Sequence, residues 1–220
     1  MDSTDSVAAA EAHAAMSGPM LEDRHMRMTA TRPVTAADST RAAALLGTMR
    51  TALARYRDVR VAEAEGFRQF LPRVRQAVYH FTKRLWGIEA AFHFDPARPT
   101  SLLYRADSAG QFTLVGAMYT APARADEDEL DRRVPLSIAR WHEHVNWCVP
   151  PRGARGRWVE QRDGHPVFGP KSPIATQAAC DSVGGRFLPR IFGWMVHVNA
   201  FADDPAMIWG GHDHEPGHGP

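Results

Sequence analysis

The chain has 220 residues, of which 44% are hydrophobic and six are tryptophan, so it can bury a substantial core and does not have a disordered composition. Its formal net charge is +1 and no Lys/Arg stripe follows any segment, which argues against a dedicated nucleic-acid binder. No apolar run approaches about 18 residues, so no transmembrane span is predicted.

The first 32 residues are rich in Ala, Ser, Thr, Met and His and carry no sustained apolar stripe. We predict a flexible tail over 1–32, a single globular domain over 33–209 and a polar, His-containing tail over 210–220. Several methionines and two histidines, His13 and His25, lie in the first tail. Thioether and imidazole together suit copper, and the alternative is a tail in which these side chains have no role.

Helical signals dominate the first part of the predicted domain. A helix is predicted to follow Pro33 with Thr35 or Ser39 as its cap, because apolar residues then recur at helical spacing. A second helical segment is predicted to begin at Asp58 and to end at Gly66. Short helices are predicted near the acidic-basic stretch 124–133, which could also be a loop, and over 176–182.

From residue 78 onward the apolar spacing falls to about two residues, which is typical of strands. The strand-like segments are 78–82, 90–95 with His93, 101–105, 112–120, 137–149 and 192–201. The change of spacing predicts an α+β fold, in which the N-terminal helical segment packs on an antiparallel β-sheet or small β-barrel.

The functional prediction rests on the stretch SIARWHEHVNWCV, residues 137–149. Side chains alternate faces in a strand, so His142 and His144 share one face, roughly 6.5–7 Å apart at the backbone. Two imidazoles at that spacing can converge on one ion. His197 lies in another strand with an apolar opposite face. We predict a transition-metal site, for copper or zinc, formed by His142, His144 and His197, with His80 as the fourth ligand.

The other interpretation of these histidines is an antiparallel sheet with a solvated face, on which histidines are ordinary. Glu143 points away from the pair in a regular strand, so it cannot serve as their neighbouring general base without a bulge. Cys148 could ligate the ion or pair with Cys180. We predict the disulfide, because Pro150 follows closely and places Cys148 at a strand end.

Five short patches resemble a group of secreted bacterial proteins that carry YHY, FDP-x-x-P, LLY, LVG and HVW patches in that order, with no assigned activity. The matching residues here are Tyr79–Phe81, Phe94–Pro99, Leu102–Tyr104, Leu114–Gly116 and His144–Val145. The resemblance covers residues 50–150, implies an exported protein, and matches His80 and His144. Asn146 departs from it, and GWMVHVNAF has no counterpart.

The sequence thus predicts an exported metal-binding protein that handles copper or zinc through the four histidines. One alternative is a metal-dependent hydrolase, lyase or oxidoreductase that uses the same site. A second alternative is a metal-free structural or ligand-binding domain whose Trp-rich faces form a core or pocket. The N-terminus as given lacks the basic and apolar regions of a signal peptide, so a periplasmic or secreted location implies that the signal was removed.

Overall fold

The computed structural model describes residues 23–70, 72 and 76–210. Its helices are α1 (Ala36–Leu53), α2 (Val59–Ala64), α3 (Arg84–Glu89), α4 (Glu127–Arg133), α5 (Gln177–Ser182) and α6 (Pro205–Ile208). Its strands are β1 (Met26–Met28), β2 (Arg68–Gln69), β3 (Tyr79–Thr82), β4 (Ser101–Ala106), β5 (Phe112–Ala121), β6 (His142–Val149), β7 (Gln161–Arg162), β8 (His165–Pro166), β9 (Arg186–Arg190) and β10 (Trp194–Val198). Two 3-10 segments cover Ala54–Arg57 and Arg155–Val159. The α+β prediction is confirmed.

The chain divides into two compact units, and the division falls within β1 and β6. Of the described residues, the larger unit contains 28–70, 77–142 and 193–210. The smaller unit contains 23–27, 72, 76 and 143–192. The predicted limits of a single domain stay a prediction, and the two units are described separately below.

The larger unit begins with the predicted helices. The Thr35 hydroxyl accepts a hydrogen bond from the Asp38 N–H and caps α1, and the Asp58 side chain caps α2 in the same way. Gly66 has φ +93°, a left-handed conformation that ends the helical segment at little steric cost. The predicted starts and the stop of this helical region are therefore confirmed.

The sheet of the larger unit has the strand order β10-β5-β4-β3-β2, and all these pairs are antiparallel. Met49 and Leu53 of α1 share one buried core with Leu102 and Tyr104 of β4, so the N-terminal helix packs on the sheet as predicted. The Tyr104 hydroxyl donates to the Tyr56 carbonyl oxygen at 2.6 Å and joins the sheet to the end of the helical segment.

The predicted strand over 90–95 is wrong. This stretch continues the last turn of α3, because the amide N–H groups of Phe92 and His93 both donate to the Glu89 carbonyl oxygen, at 2.9 and 3.0 Å. His93 is consequently exposed on a turn and faces no sheet partner. Local helical hydrogen bonds outweigh a period-two pattern that spans only a few residues.

In the smaller unit, β6 pairs with β9 in an antiparallel ribbon, and β7 pairs with β8. Cys148 of β6 is bonded to Cys180 of α5, so the predicted disulfide is confirmed. The two cysteines form a buried cluster with Val167, Phe168 and Val183. The disulfide is thus at the centre of this unit's core.

Part of the predicted N-terminal tail is structured, since Met26–Met28 form β1 and both methionines are buried. Residues 1–22 of that tail and residues 211–220 of the other lie outside the described residues, and so do His13 and His214. Among the described helices, none combines the length and hydropathy needed to cross a bilayer.

Candidate functional site

Three of the four predicted metal ligands lie in the larger unit, and all three are buried. His80 lies in β3, His142 opens β6 opposite Met195 of β10, and His197 lies two positions further along β10. The ring centroids of His142 and His197 are 5.1 Å apart, and those of His80 and His197 are 5.6 Å apart. The strands β3, β6 and β10 thus bring the three rings into one neighbourhood.

The predicted metal-binding function is nevertheless wrong. Within residues 23–70, 72 and 76–210, no group of three or more His, Cys, Asp or Glu side chains is arranged to hold a metal ion. A metal ion needs several lone pairs directed at one point. The rings of His142 and His197 make an edge contact with each other, with their planes inclined by 62°. Strand periodicity assigns a side chain to a face, but it does not orient a ring.

His144, the fourth predicted ligand, belongs to the smaller unit and is buried there. Its ring makes edge contacts with Trp147 and Phe192, at centroid distances of 5.7 and 6.4 Å. Burial lowers the pKa of His144 to about 4, His25 acts in the same direction, and Asp23 acts against it. His144 is therefore a neutral core residue at neutral pH.

Glu143 is fully buried in the smaller unit between two guanidinium groups. Arg190 contacts its carboxylate at 2.6 Å, and Arg27 makes a second ion pair with it. A buried carboxylate needs such partners because it has lost its water. Both oxygens are engaged in this pairing.

A surface groove of about 490 Å³ lies on one face of the β6–β9 ribbon. Cross-strand register explains how it forms. Trp147 stands opposite Leu188 and Val149 opposite Arg186, so all four side chains share that face. Cys148, between them, stands opposite Phe187 and faces the disulfide core on the other side. Alternation thus gives the ribbon one face for the core and one for the groove.

The walls of the groove come from two neighbouring segments and from the chain after β9. The loop that follows β6 contributes Pro150, Pro151, Arg152 and Gly153, the 3-10 segment contributes Trp158, and Ile191 completes the lining. Gly153 has φ +86°, so this turn needs a residue without a side chain. The result is a lining of indole, proline and aliphatic surfaces with two arginines.

The two arginines of the groove differ in their ion pairing from other arginines of the smaller unit. Arg157 is paired with Glu160, and Arg190 with Glu143. Arg152 and Arg186 are exposed and make no ion pair with any residue that the structure describes. Two exposed guanidinium groups without an ion pair in the described part of the chain, beside an apolar floor, give the groove a positive character.

Sequence reasoning did not single out this groove as the site. The sequence contains a partial indication of it. Trp147 and Val149 are two residues apart in a predicted strand and therefore share a face, and a Pro-Pro-Arg-Gly turn follows them. The missing information was the partner of β6, because no local pattern shows that Arg186 and Leu188 pair with it. No protein family, curated protein or solved structure matches this chain.

Proposed function

We propose that the protein is a ligand-binding protein whose groove, on the β6–β9 ribbon of the smaller unit, takes small organic anions with a flat apolar body. Aromatic carboxylates are the ligand class that best fits its chemistry. The observation that carries this proposal is the pairing of Trp147 with Leu188 and of Val149 with Arg186, which places an apolar floor and a guanidinium group side by side.

Size and shape support this class of ligand. Small-molecule sites have volumes of roughly 300–1,000 Å³ and combine apolar walls with a few polar groups that orient the ligand. The groove, at about 490 Å³, falls in this range. Indole and proline rings offer flat surfaces for stacking, and a guanidinium fork matches the geometry of a carboxylate.

The proposal is tested by calorimetric titration with naphthoate and with its neutral analogue naphthyl methanol. Naphthoate should bind more tightly, and its affinity should fall as salt is added, because the arginines are solvent-exposed. Arg186→Gln should weaken naphthoate binding about fivefold, the equivalent of about 1 kcal/mol for an exposed charged contact. The affinity for naphthyl methanol should not change.

Arg162→Gln is the matched control, since Arg162 is an exposed arginine of the same unit on β7 and does not line the groove. It should bind naphthoate like the parent protein. Equal binding of the acid and the alcohol by the parent protein would contradict the anionic class, and no binding of either would contradict the groove as a ligand site.

We infer further that this function is exercised in the periplasm or outside the cell. The disulfide supports this location, because disulfides persist in oxidising compartments, and the resemblance of residues 50–150 to secreted bacterial proteins agrees with it. Fractionation of cells that produce the natural protein should recover it from the periplasm or the medium. Recovery from the cytoplasm alone would contradict the inference.

A further inference from the structure

Three large apolar side chains project from the larger unit along α3 and the turn after it. The exposed fractions are 67% for Leu85, 61% for Ile88 and 82% for Phe92. Spacings of three and seven residues put side chains on one side of a helix, and the hydrogen bond from the Phe92 N–H to the Glu89 carbonyl extends the helical turn. Large apolar side chains exposed on one side of a helix are typical of interaction surfaces.

The charged residues beside this stripe are three cations and two acids, which gives a net charge of +1. Lys83 and Arg84 stand at its start, and neither makes an ion pair with a residue of the described ranges. Arg84 is exposed, whereas Lys83 is half-buried with its ammonium 4.1 Å from the centre of the Trp86 ring. The nearby acids are neutralised, because Arg98 pairs with Glu89 at 2.7 Å and with Asp95 at 3.7 Å. The stripe therefore presents apolar side chains next to one exposed cation, Arg84, and the half-buried Lys83.

The small size of the stripe decides between its conceivable partners. A stable contact with a second protein involves roughly 20–30 residues a side with complementary shape. Three side chains in a row fall well short of that, whereas a lipid bilayer accepts single apolar side chains without any fixed complementary surface. Basic neighbours add attraction to anionic headgroups. We propose that the stripe Leu85, Ile88 and Phe92 docks the larger unit onto the surface of an anionic lipid bilayer.

Co-sedimentation with vesicles tests this docking. The parent protein should sediment with vesicles of equal parts phosphatidylglycerol and phosphatidylcholine, and less with phosphatidylcholine alone. The variant Leu85→Ser/Ile88→Ser/Phe92→Ser should lose at least about tenfold in affinity for the mixed vesicles, because its apolar contacts are gone. Arg84→Gln should lose about fivefold, and only on the anionic vesicles.

Val34→Ser/Val159→Ser is the control, because both valines are exposed and lie away from the stripe in sequence. It should sediment like the parent protein, and circular dichroism should show that all variants are folded. Equal sedimentation of the triple variant and the parent would overturn the proposal, as would failure of the parent to bind the mixed vesicles. Sedimentation velocity gives a third outcome: a parent dimer that the triple variant loses would assign the stripe to a second copy instead.

Discussion

Among single residues, His144 shows most directly how burial controls chemistry in this chain. Its ring lies against Trp147 and Phe192 in the smaller unit, and it is 1% exposed. Placing a charged imidazolium there would require removing its hydration shell. The folded protein therefore holds His144 in the neutral form, with a pKa near 4 in place of the ordinary 6.5.

This difference in pKa predicts that stability falls in mild acid. Between about pH 6.5 and pH 4 the unfolded chain binds a proton at residue 144 and the folded chain does not, so protonation favours unfolding. The contribution is fully present above pH 6.5, and up to about 3 kcal/mol is lost by pH 4. Replacement by leucine should abolish this part of the pH dependence in urea unfolding curves.

Comparing the parent protein with the His144→Leu variant isolates the effect of His144, because all other histidines are the same in the two proteins. His165→Gln provides the control, because His165 is exposed on β8 of the same unit and should leave the pH dependence as it is. A His144→Leu protein whose stability declined with the parent's slope between pH 6.5 and pH 4 would show that burial of this ring does not set its ionisation.

At the scale of secondary-structure elements, local chemistry accounts for what the sequence could predict. The start of α1 depends on the Thr35 hydroxyl and the Asp38 amide, three residues apart, so the capping pattern was visible in the sequence. The β4–β5 pair is joined by the turn at Asp107, whose carboxylate accepts from the Gln111 N–H. Each of these elements is specified by residues close together in the chain.

Elements that depend on partners far away in the chain were harder to predict from the sequence. The segment 90–95 alternates like a strand, but it has no partner strand and closes helical hydrogen bonds with Glu89 instead. In β6, Asn146 adopts φ +59°, and its side chain donates to the Arg24 carbonyl oxygen, so the strand is not regular throughout. The metal prediction assumed regular alternation and inward-pointing nitrogens, and neither property is encoded in residue spacing.

The groove illustrates the same limit. Its floor is formed by cross-strand neighbours, and the partner strand β9 is reached only after the loop, the β7–β8 pair and α5. The amino-acid types at positions 186 and 188 do not indicate that this segment pairs with β6. A single sequence therefore predicted the apolar and aromatic content of this region but not the surface that it forms.

At the scale of the whole molecule, the two units have separate buried clusters. The cluster of the larger unit contains neither cysteine, and the cluster of the smaller unit is built around both. The disulfide closes a loop with a sequence separation of 32 residues. Closure of a loop of this length contributes about 3–4 kcal/mol by the chain-entropy estimate.

Removal of the disulfide by Cys148→Ala/Cys180→Ala should consequently destabilise the smaller unit selectively. Hydrogen exchange measured by mass spectrometry should accelerate strongly in β6 and β9. The strands β4 and β5, which contribute to the other cluster, provide an internal control and should keep their protection. Uniform acceleration in both sets of strands, or none in either, would contradict this account.

The two-faced ribbon also determines how this protein can diversify. Positions 186 and 188 line the groove and are not buried, whereas positions 148 and 187, which alternate with them, meet the core. Substitutions at the first pair would change the groove surface while the core residues stay in place. Such a strand pair can vary on its groove side in evolution at little risk to folding, and it suits a selection library randomised at positions 186 and 188.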